Sequence, residues 1–296
     1  MSDVIKNRYD FAIVFDCTYS NPNGDPDSGN MPRIDPETGI GIVTDVCIKR
    51  KIRNYIEAAK EDKPGYKIYV KNGIFLSDNE KEAFNNFKIT EENLKEIKKN
   101  NPDIDLKIKD FMCENFYDIR TFGAVMTTFT KNRLNCGQIK GPVQIGFAHS
   151  VDPVTPQEIT ITRCTVTKPG ESDDGANITM GNKHFIPYGL YIAEGYISAN
   201  LARRVTGFSE DDLNLLWEAI INMFELDHSA SRGKIAVRKL VIFKHQSELG
   251  NTPAYKLFDK IKITKKDSVL VARKFSDYDF SIDTDSIPDT IECIIK

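Results

Sequence analysis

The sequence lacks the features that would point to a membrane, a secretion route or a structural metal. No apolar run approaches the roughly 18 residues that a membrane helix needs, and the start, MSDVIKNRYDF, holds no apolar signal core. The six cysteines are scattered, with no C-x-x-C pair. This scatter is typical of reduced thiols in a cytoplasm rather than of a disulfide framework or a zinc site. We therefore expect a cytoplasmic protein with no membrane segment, no metal and no cofactor.

Catalytic signatures are equally scarce. The four histidines show neither H-E-x-x-H nor H-x-x-x-H spacing, and no G-x-S-x-G occurs. The stretch GIGIVT lacks the third glycine of a dinucleotide-binding fingerprint, and SRGKIA is not a phosphate-binding P-loop. No motif in the chain predicts an enzyme.

The charge of the chain is unevenly distributed. Its 296 residues carry a net charge of −3, with 40% hydrophobic and 28% charged residues, which is typical of a globular protein with a core. However, residues 120–168 hold six basic and two acidic side chains, and residues 229–244 hold five basic and no acidic ones. Such segregation permits a basic face on an acidic protein, although ordinary scatter gives similar counts.

The hydrophobic pattern predicts alternating strands and helices. RYDFAIVFDC (8–17) is typical of a buried strand, and residues 44–60 form a helix capped by Thr44. A second helix is predicted at 208–226, with a capping box at Ser209, and a last strand at 235–245. Strands between the two helices complete the plan of an RRM-like (ferredoxin-like) α+β fold.

Two further segments interrupt this plan. Residues 61–115 are rich in Lys, Glu and Asn, which predicts an insertion with a thin core and short helices at 78–87 and 90–99. Residues 155–168 alternate between apolar and polar side chains as a strand does, and the turn formers at 169–177 follow.

The loop SNPNGDPDSGN (20–30) admits three interpretations. Counted from Asp25, an EF-hand pattern fails after Asp27, because glycine and glutamate are missing at positions 6 and 12. The carboxylates of Asp25 and Asp27 are also of the type that a magnesium-dependent phosphodiesterase uses. Alternatively, Asp and Asn simply shape turns. A loop of this kind also presents backbone N–H groups and amides that can meet phosphates.

Two groups of residues suggest contact with a polynucleotide. Lys49, Arg50 and Arg53 project from the polar side of the first predicted helix, which is either a solvated face or a phosphate-binding one. In DIRTFGAVM and NCGQIKGPVQIGF, cationic and amide side chains lie near an aromatic residue. Such a combination resembles single-stranded RNA platforms, although no RNP1-like consensus is present.

Several long stretches together resemble a known family. RYDFAIVFDCTYSNPNGDPDSGN, DIRTFGAVM, NCGQIKGPVQIGFAHSVDPV and MGNKHFIPYGLYIAEGYISANLA are similar to the backbone subunit of type I-C CRISPR Cascade complexes. This subunit belongs to the Cas-seven group of the RAMP superfamily. The resemblance runs from about residue 8 to 262.

The resemblance implies a fold and an assembly. It implies an RRM-like palm (1–60, 116–151 and 185–296), an inserted fingers region (61–115) and a β-hairpin thumb (152–184). Copies of the subunit would line up along the spacer of a CRISPR RNA (crRNA), beside other Cascade subunits, and present it for pairing with target DNA. The protein would hold backbone and shape while base pairing reads the sequence, as in other RNA-guided effectors.

The resemblance and the residue patterns together yield the predicted RNA-binding set. Its members are Asn21, Asn23, Gly24, Lys49, Arg50, Arg53, Arg120, Phe122, Gln138, Lys140, Arg163, Met180 and Arg232. Type I backbone subunits are not nucleases, so the resemblance implies a non-catalytic role. Because related type III subunits cleave RNA with a loop aspartate, a metal-dependent endoribonuclease using Asp25 or Asp27 remains the alternative.

Overall fold

The computed structural model describes residues 2–90, 92–127, 129, 134–162 and 180–296. The strands are β1 (Tyr9–Ser20), β2 (Gly24–Asp25), β3 (Met31–Pro32), β4 (Ile40–Val43), β5 (Gly123–Val125), β6 (Gln138–Lys140), β7 (Val143–Ile145), β8 (Ala148–Pro153), β9 (Gln157–Thr162), β10 (Met180–Ile197), β11 (Ile235–His245), β12 (Ile261–Lys265), β13 (Tyr278–Ile282) and β14 (Ile291–Ile295). The α-helices are α1 (Asp45–Lys60), α2 (Leu76–Asn86), α3 (Leu94–Asn100), α4 (Ile104–Asn115), α5 (Tyr117–Phe122), α6 (Ala199–Leu201), α7 (Glu210–Asn222) and α8 (Ala254–Phe258), and a π-helical turn (Ala202–Thr206) follows α6.

A central antiparallel sheet organises the chain. Its strands run in the order β14-β11-β1-β10-β8-β4, and β7 and β9 pair with other parts of β10. At the centre, Ile13 of β1 lies opposite Ala193 of β10 on one side and Leu240 of β11 on the other. The predicted strands at 8–17 and 235–245 are confirmed, and β1 continues three residues further.

The two amphipathic helices cover one face of this sheet. Phe11, Ile13 and Phe15 of β1 belong to the same core as the buried residues of α1 and α7. Thr44 caps α1 by accepting a hydrogen bond from the Cys47 N–H, and Ser209 and Asp212 form a capping box at α7. Each cap satisfies backbone N–H groups that lack partners within the helix, which is worth about 1 kcal/mol. Both predicted helices are confirmed.

The inserted segment has a larger core than its composition suggests. Residues of α2, α4 and α5 pack with β6 into a second hydrophobic core, which is separate from the one beneath the sheet. Ile108, Met112 and Phe129 are almost completely buried there. The expectation of a thin core was therefore wrong, because α4, which was not predicted, supplies much of it.

The C-terminal segment covers the other face of the sheet. Ala12 and Val14 of β1 point to this face, and they pack against residues of α8, β12 and β13, among them Leu257 and Tyr278. RRM modules stack bases on the sheet face that carries no helices. In this chain the C-terminal segment buries that face at its centre, so a polynucleotide cannot follow the same route.

β10 is continuous from the sheet into a hairpin. Its last residues, up to Ile197, pair with β1, whereas its first residues pair with β9, from Met180 opposite Thr162 to Phe185 opposite Gln157. One strand of 18 residues thus belongs to both the sheet and the hairpin. Among the described residues, no helix is long and apolar enough to cross a membrane.

Candidate nucleic-acid interface

Three distant segments meet around one groove of about 650 Å³. The first is the loop 28–31, the second is the base of the β9–β10 hairpin, and the third is the loop that contains Ser231. Met180, Asn182 and Lys183 line its hairpin side, together with Glu158. Each of these three segments contains or adjoins residues that were predicted to meet RNA.

Asn21 holds the loop 20–30 in place through hydrogen bonds inside the protein. Its backbone N–H donates to the Ser231 carbonyl at 2.7 Å, and its Nδ2 donates to the Asn30 carbonyl at 2.8 Å. The side chain is 4% exposed. Asn21 therefore joins two walls of the groove.

Asn23 and Gly24 fix the path of the same loop. Oδ1 of Asn23 accepts hydrogen bonds from the N–H and the hydroxyl of Thr44, both at 2.9 Å, which ties the loop to the start of α1. A Cβ added to Gly24 would lie 1.9 Å from Oδ1 of Asn30. A larger residue at this position would therefore have to displace the Asn30 side chain.

The acidic side chains of the loop 20–30 contribute to its turn. Oδ1 of Asp25 accepts from the Asp27 N–H at 3.1 Å and lies 3.3 Å from Nη2 of Arg33. Asp27 itself is exposed. Within the described ranges, no group of three or more His, Cys, Asp or Glu side chains has the geometry to hold a metal ion.

The basic side of α1 is paired inside the chain. Nζ of Lys49 lies 2.9 Å from Asp45, and Nε of Arg53 donates to Asp118 at 2.7 Å. Both cations also lie over the ring of Phe122, at 5.8 and 5.2 Å from its centroid. This is not the open cationic face that the sequence suggested, because α5 packs against the helix and supplies an acidic partner.

Arg50 completes this inward-facing set. Its Nη1 donates to the Val70 carbonyl at 2.8 Å, at the edge of the inserted segment. Asp118, the partner of Arg53, also accepts hydrogen bonds from the N–H groups of Tyr69 and Val70. Arg50, and Arg53 through Asp118, therefore tie the start of the inserted segment to α1, whereas the pair of Lys49 lies within the helix.

Arg120 is more fully hydrogen-bonded within the protein than the cations of α1. Its guanidinium makes two hydrogen bonds to Asp212, at 2.9 and 2.7 Å, and others to the carbonyls of Cys113, Glu114 and Gly65. The residue is only 7% exposed. Arg120 thus joins α5 to the start of α7, and this buried position does not fit the prediction that it lines an RNA groove.

The sequence of this chain matches a family model over most of its length. The model, described as "CRISPR-associated protein Cas7", matches residues 7–283. The chain belongs to the Cas7 family.

A curated Cas7 protein and a solved structure are similar to this chain. The "CRISPR-associated protein Cas7" of Haloferax volcanii is 27% identical over 262 residues, which is 83% of this chain and 72% of that protein. A chain of a "CRISPR RNA-guided surveillance complex, pre-nicking" has a TM-score of 0.51 at 15% identity, over 80% of this chain and 78% of that one. At that identity, the structural likeness concerns the fold alone.

The remaining predicted residues of this Cas7 chain lie in different settings. Gln138 and Lys140 are exposed on β6, on either side of the buried Ile139. Met180 is 68% exposed at the groove. Arg232, next to Ser231, pairs with Asp227 at 2.8 Å and leaves 35% of its side chain exposed. Arg163 lies outside the described residues.

The predicted RNA-binding set leaves out two cations of these segments. Lys183 lines the groove and is partly exposed, and Lys234, three residues from Ser231 in the chain, is exposed. Within the part of the chain that the structure describes, neither forms a salt bridge. Lys183 lies in the stretch MGNKHF, of which only Met180 was predicted to contact RNA.

His184 and Cys47 complete the surroundings. Nδ1 of His184, which also lines the groove, is buried with no hydrogen-bond partner among the described residues. The thiol of Cys47 lies 3.6 Å from the Pro22 carbonyl, beneath the loop. Burial raises the pKa of Cys47, so the thiol stays protonated at neutral pH. Its role there is packing.

Proposed function

We propose that this Cas7-family chain is a non-catalytic, crRNA-binding backbone subunit of a type I-C CRISPR interference (Cascade) complex. Copies bind side by side along the spacer of the guide RNA, together with other Cascade subunits, and hold it for pairing with target DNA. The observation that carries this proposal is the family match over residues 7–283. The setting is the cytoplasm, as the reduced cysteines suggest.

The groove is the proposed RNA contact. Lys183, which lines the groove, and Lys234, three residues after Ser231, form no salt bridge with a described residue, and Asn30 and Asn182 add polar groups to the groove, although Glu158 lies on the same hairpin wall. Such a set grips a ribose-phosphate backbone without reading the bases. A few cations per subunit give weak, salt-sensitive binding, which neighbouring copies on one strand then reinforce.

We also propose the domain plan of an RRM-like palm, fingers and a thumb. The strand order β11-β1-β10-β8, with α1 following β1 and α7 preceding β11, supports an RRM-like palm. The β9–β10 hairpin supports a thumb within 152–184. Because the second hydrophobic core continues through residues 116–139, we propose that the fingers unit is larger than 61–115.

A non-catalytic role is part of the proposal. The carboxylate of Asp25 is engaged by Arg33 and by the turn at Asp27, which suits a structural residue. The alternative endoribonuclease is separated by incubating the protein with labelled RNA and Mg²⁺. Cleavage that is lost in Asp25→Ala or Asp27→Ala would establish that alternative and refute ours.

The groove is tested with the double variant Lys183→Ala with Lys234→Ala. We expect its affinity for unrelated guide sequences to fall about tenfold, and the slope of log K against log salt to flatten by about 1.4, since each phosphate contact of a single strand contributes about 0.7. A matched control is Lys95→Ala with Lys99→Ala, which removes two exposed charges from α3. Unchanged affinity and slope in the groove variant would place the RNA elsewhere.

A further inference from the structure

We propose that a second surface of this chain binds single-stranded nucleic acid, on the sheet face opposite α1 and α7. This surface, the C-terminal ledge, consists of β12 and the loop that follows it, residues 260–274. The ledge holds six basic side chains and one acidic side chain. It is separate from the groove and goes beyond the proposed function, which needs only one bound strand.

The cations of the ledge are available. Ile261 and Ile263 of β12 pack toward the sheet, so the intervening Lys262 points outward and is exposed. Arg273 and Lys274 are exposed as well. None of these three cations forms a salt bridge with a described residue. Lys266 lies 3.7 Å from Asp279, and both of these side chains are largely solvent-exposed, so this pair holds little charge back.

A cavity of about 410 Å³ opens between the ledge and the root of the hairpin. Its walls include Val154, Leu270 and Val271, and the stacked rings of Tyr188 and Tyr278, whose centroids are 6.4 Å apart. The tyrosine hydroxyls donate to Asp16 and Asp152, which holds both rings in place. Lys265 and Arg273 stand at the same cavity.

This combination suits one nucleotide of an unpaired strand. A base has an apolar face that aliphatic and aromatic walls can bury, and its phosphate needs a nearby cation. Leu270 is 90% exposed and Val271 55%, so the apolar wall extends beyond the cavity toward solvent. Double-stranded nucleic acid keeps its bases stacked and could not use such a cavity.

An acidic surface of another copy is the competing occupant. The outer stripe of α7 carries the exposed Asp211 and Glu218, and neither forms a salt bridge with a described residue. However, Ile221, 36% exposed, is the large apolar side chain that this stripe offers. It cannot fill a cavity lined by two tyrosines, whereas a nucleobase can. We therefore assign the ledge to nucleic acid.

The test uses protein whose groove is already filled. The full chain is saturated with unlabelled guide RNA, and binding of a fluorescent oligothymidylate is followed by anisotropy. A fluorescent oligouridylate in a parallel titration separates DNA from RNA as the source of the strand. The ledge variant is Arg273→Ala with Lys274→Ala, and the controls are the α3 pair and the groove pair defined above.

We expect the ledge variant to weaken oligonucleotide binding at least fivefold and to flatten its salt slope by about 1.4. Both control pairs should stay within twofold. Guide RNA affinity, measured in the same series, should not change in the ledge variant. A loss of RNA binding in the groove pair would concern the proposed function, so the two proposals fail separately.

Three outcomes would overturn the inference. The first is that the guide-saturated protein binds no oligonucleotide. The second is that the ledge variant binds the oligonucleotide as tightly as the parent chain does. The third is that only the groove pair loses oligonucleotide binding. A fourth assigns the ledge to a second copy. In that case light scattering shows that the ledge variant dissociates an oligomer and that Asp211→Asn with Glu218→Gln does the same. If the chain binds no guide RNA, the titration is run without guide RNA. The same variants then show whether the oligonucleotide binds at the ledge.

Discussion

The basic side of α1 and the C-terminal ledge carry similar charge but differ in what the fold has placed against them. Lys49, Arg50 and Arg53 are bonded to Asp45, the Val70 carbonyl and Asp118. On the ledge, the side chains of Arg273 and Lys274 form no salt bridge with a described residue, although their backbone N–H groups donate to Asp277. The difference shows that charge along a sequence becomes charge at a surface only where tertiary structure leaves it unpaired. Stability and binding should therefore respond oppositely to substitutions in the two regions.

The largest loss of stability is expected from Arg120→Ala, because Arg120 is a paired cation like those of α1 but lies in the core. Asp212 would remain buried, at 3% exposure, without its cation. Breaking a buried pair in this way costs about 3–5 kcal/mol. Urea unfolding measures the loss, and Arg204→Ala, at an exposed arginine of the π-helical turn, is the control. Equal stability of the two variants would show that the Arg120 network contributes nothing.

Arg53→Ala should cost about 2 kcal/mol, because Asp118 keeps hydrogen bonds from two backbone N–H groups but loses its cation. Lys49→Ala, on the same helix, removes an i,i+4 pair and a contact with the Phe122 ring and should cost about 1 kcal/mol. Both values come from urea unfolding. If the order were reversed, α1 would not anchor the inserted segment through Asp118.

Alkaline pH should destabilise the folded chain through Tyr69 of the inserted segment. Burial, aided by a hydrogen bond to Glu80, raises the pKa of Tyr69 well above its ordinary value of about 10. Below pH 10 the tyrosine is protonated in both states, so its contribution to stability is constant. Above pH 10 the unfolded chain loses this proton while the native chain keeps it. The free energy of unfolding then falls by up to about 1.4 kcal/mol per pH unit.

Tyr69→Phe should reduce that fall, as urea unfolding at pH 8, 10 and 11 can measure. The control is Tyr255→Phe, since Tyr255 is 61% exposed. An identical pH dependence in the two variants would contradict the raised pKa of Tyr69.

The smallest effect on stability is expected at the ledge. Arg273→Ala with Lys274→Ala removes exposed side chains that form no ion pair with the described chain, so unfolding should change by less than about 0.5 kcal/mol. Thermal and urea unfolding both test this expectation. A loss of 2 kcal/mol or more would mean that these cations belong to the fold, and the contrast with α1 would disappear.

Local signals predicted much of the fold. Thr44 and Ser209 marked helix starts because capping is a property of a few adjacent residues. The run IAVRKLVIFKH marked β11 because its apolar side chains are contiguous. In contrast, α4 and the covered face of the sheet were missed. The first has a weakly segregated apolar face, and the second depends on packing between segments more than 200 residues apart.

The candidate site was predicted less well. The three segments around the groove were each singled out, but no sequence pattern showed that Asn30, Lys183 and Ser231 meet. The pairing of Arg53 with Asp118 spans 65 residues and has no local signature. The contacts of Asn21, Asn23, Lys140, Met180 and Arg232 with RNA stay predictions, as does that of Arg163, which lies outside the described residues.

The length of β10 has a mechanical consequence. Its 18 residues extend about 60 Å at roughly 3.3 Å per residue, and a single unbroken strand serves both the sheet and the hairpin. A pull on the hairpin is therefore transmitted directly to Ile13 and its neighbours in the centre of the molecule, with no intervening joint to absorb it. Tension applied at the hairpin would therefore load the central strands of the sheet rather than a connecting loop.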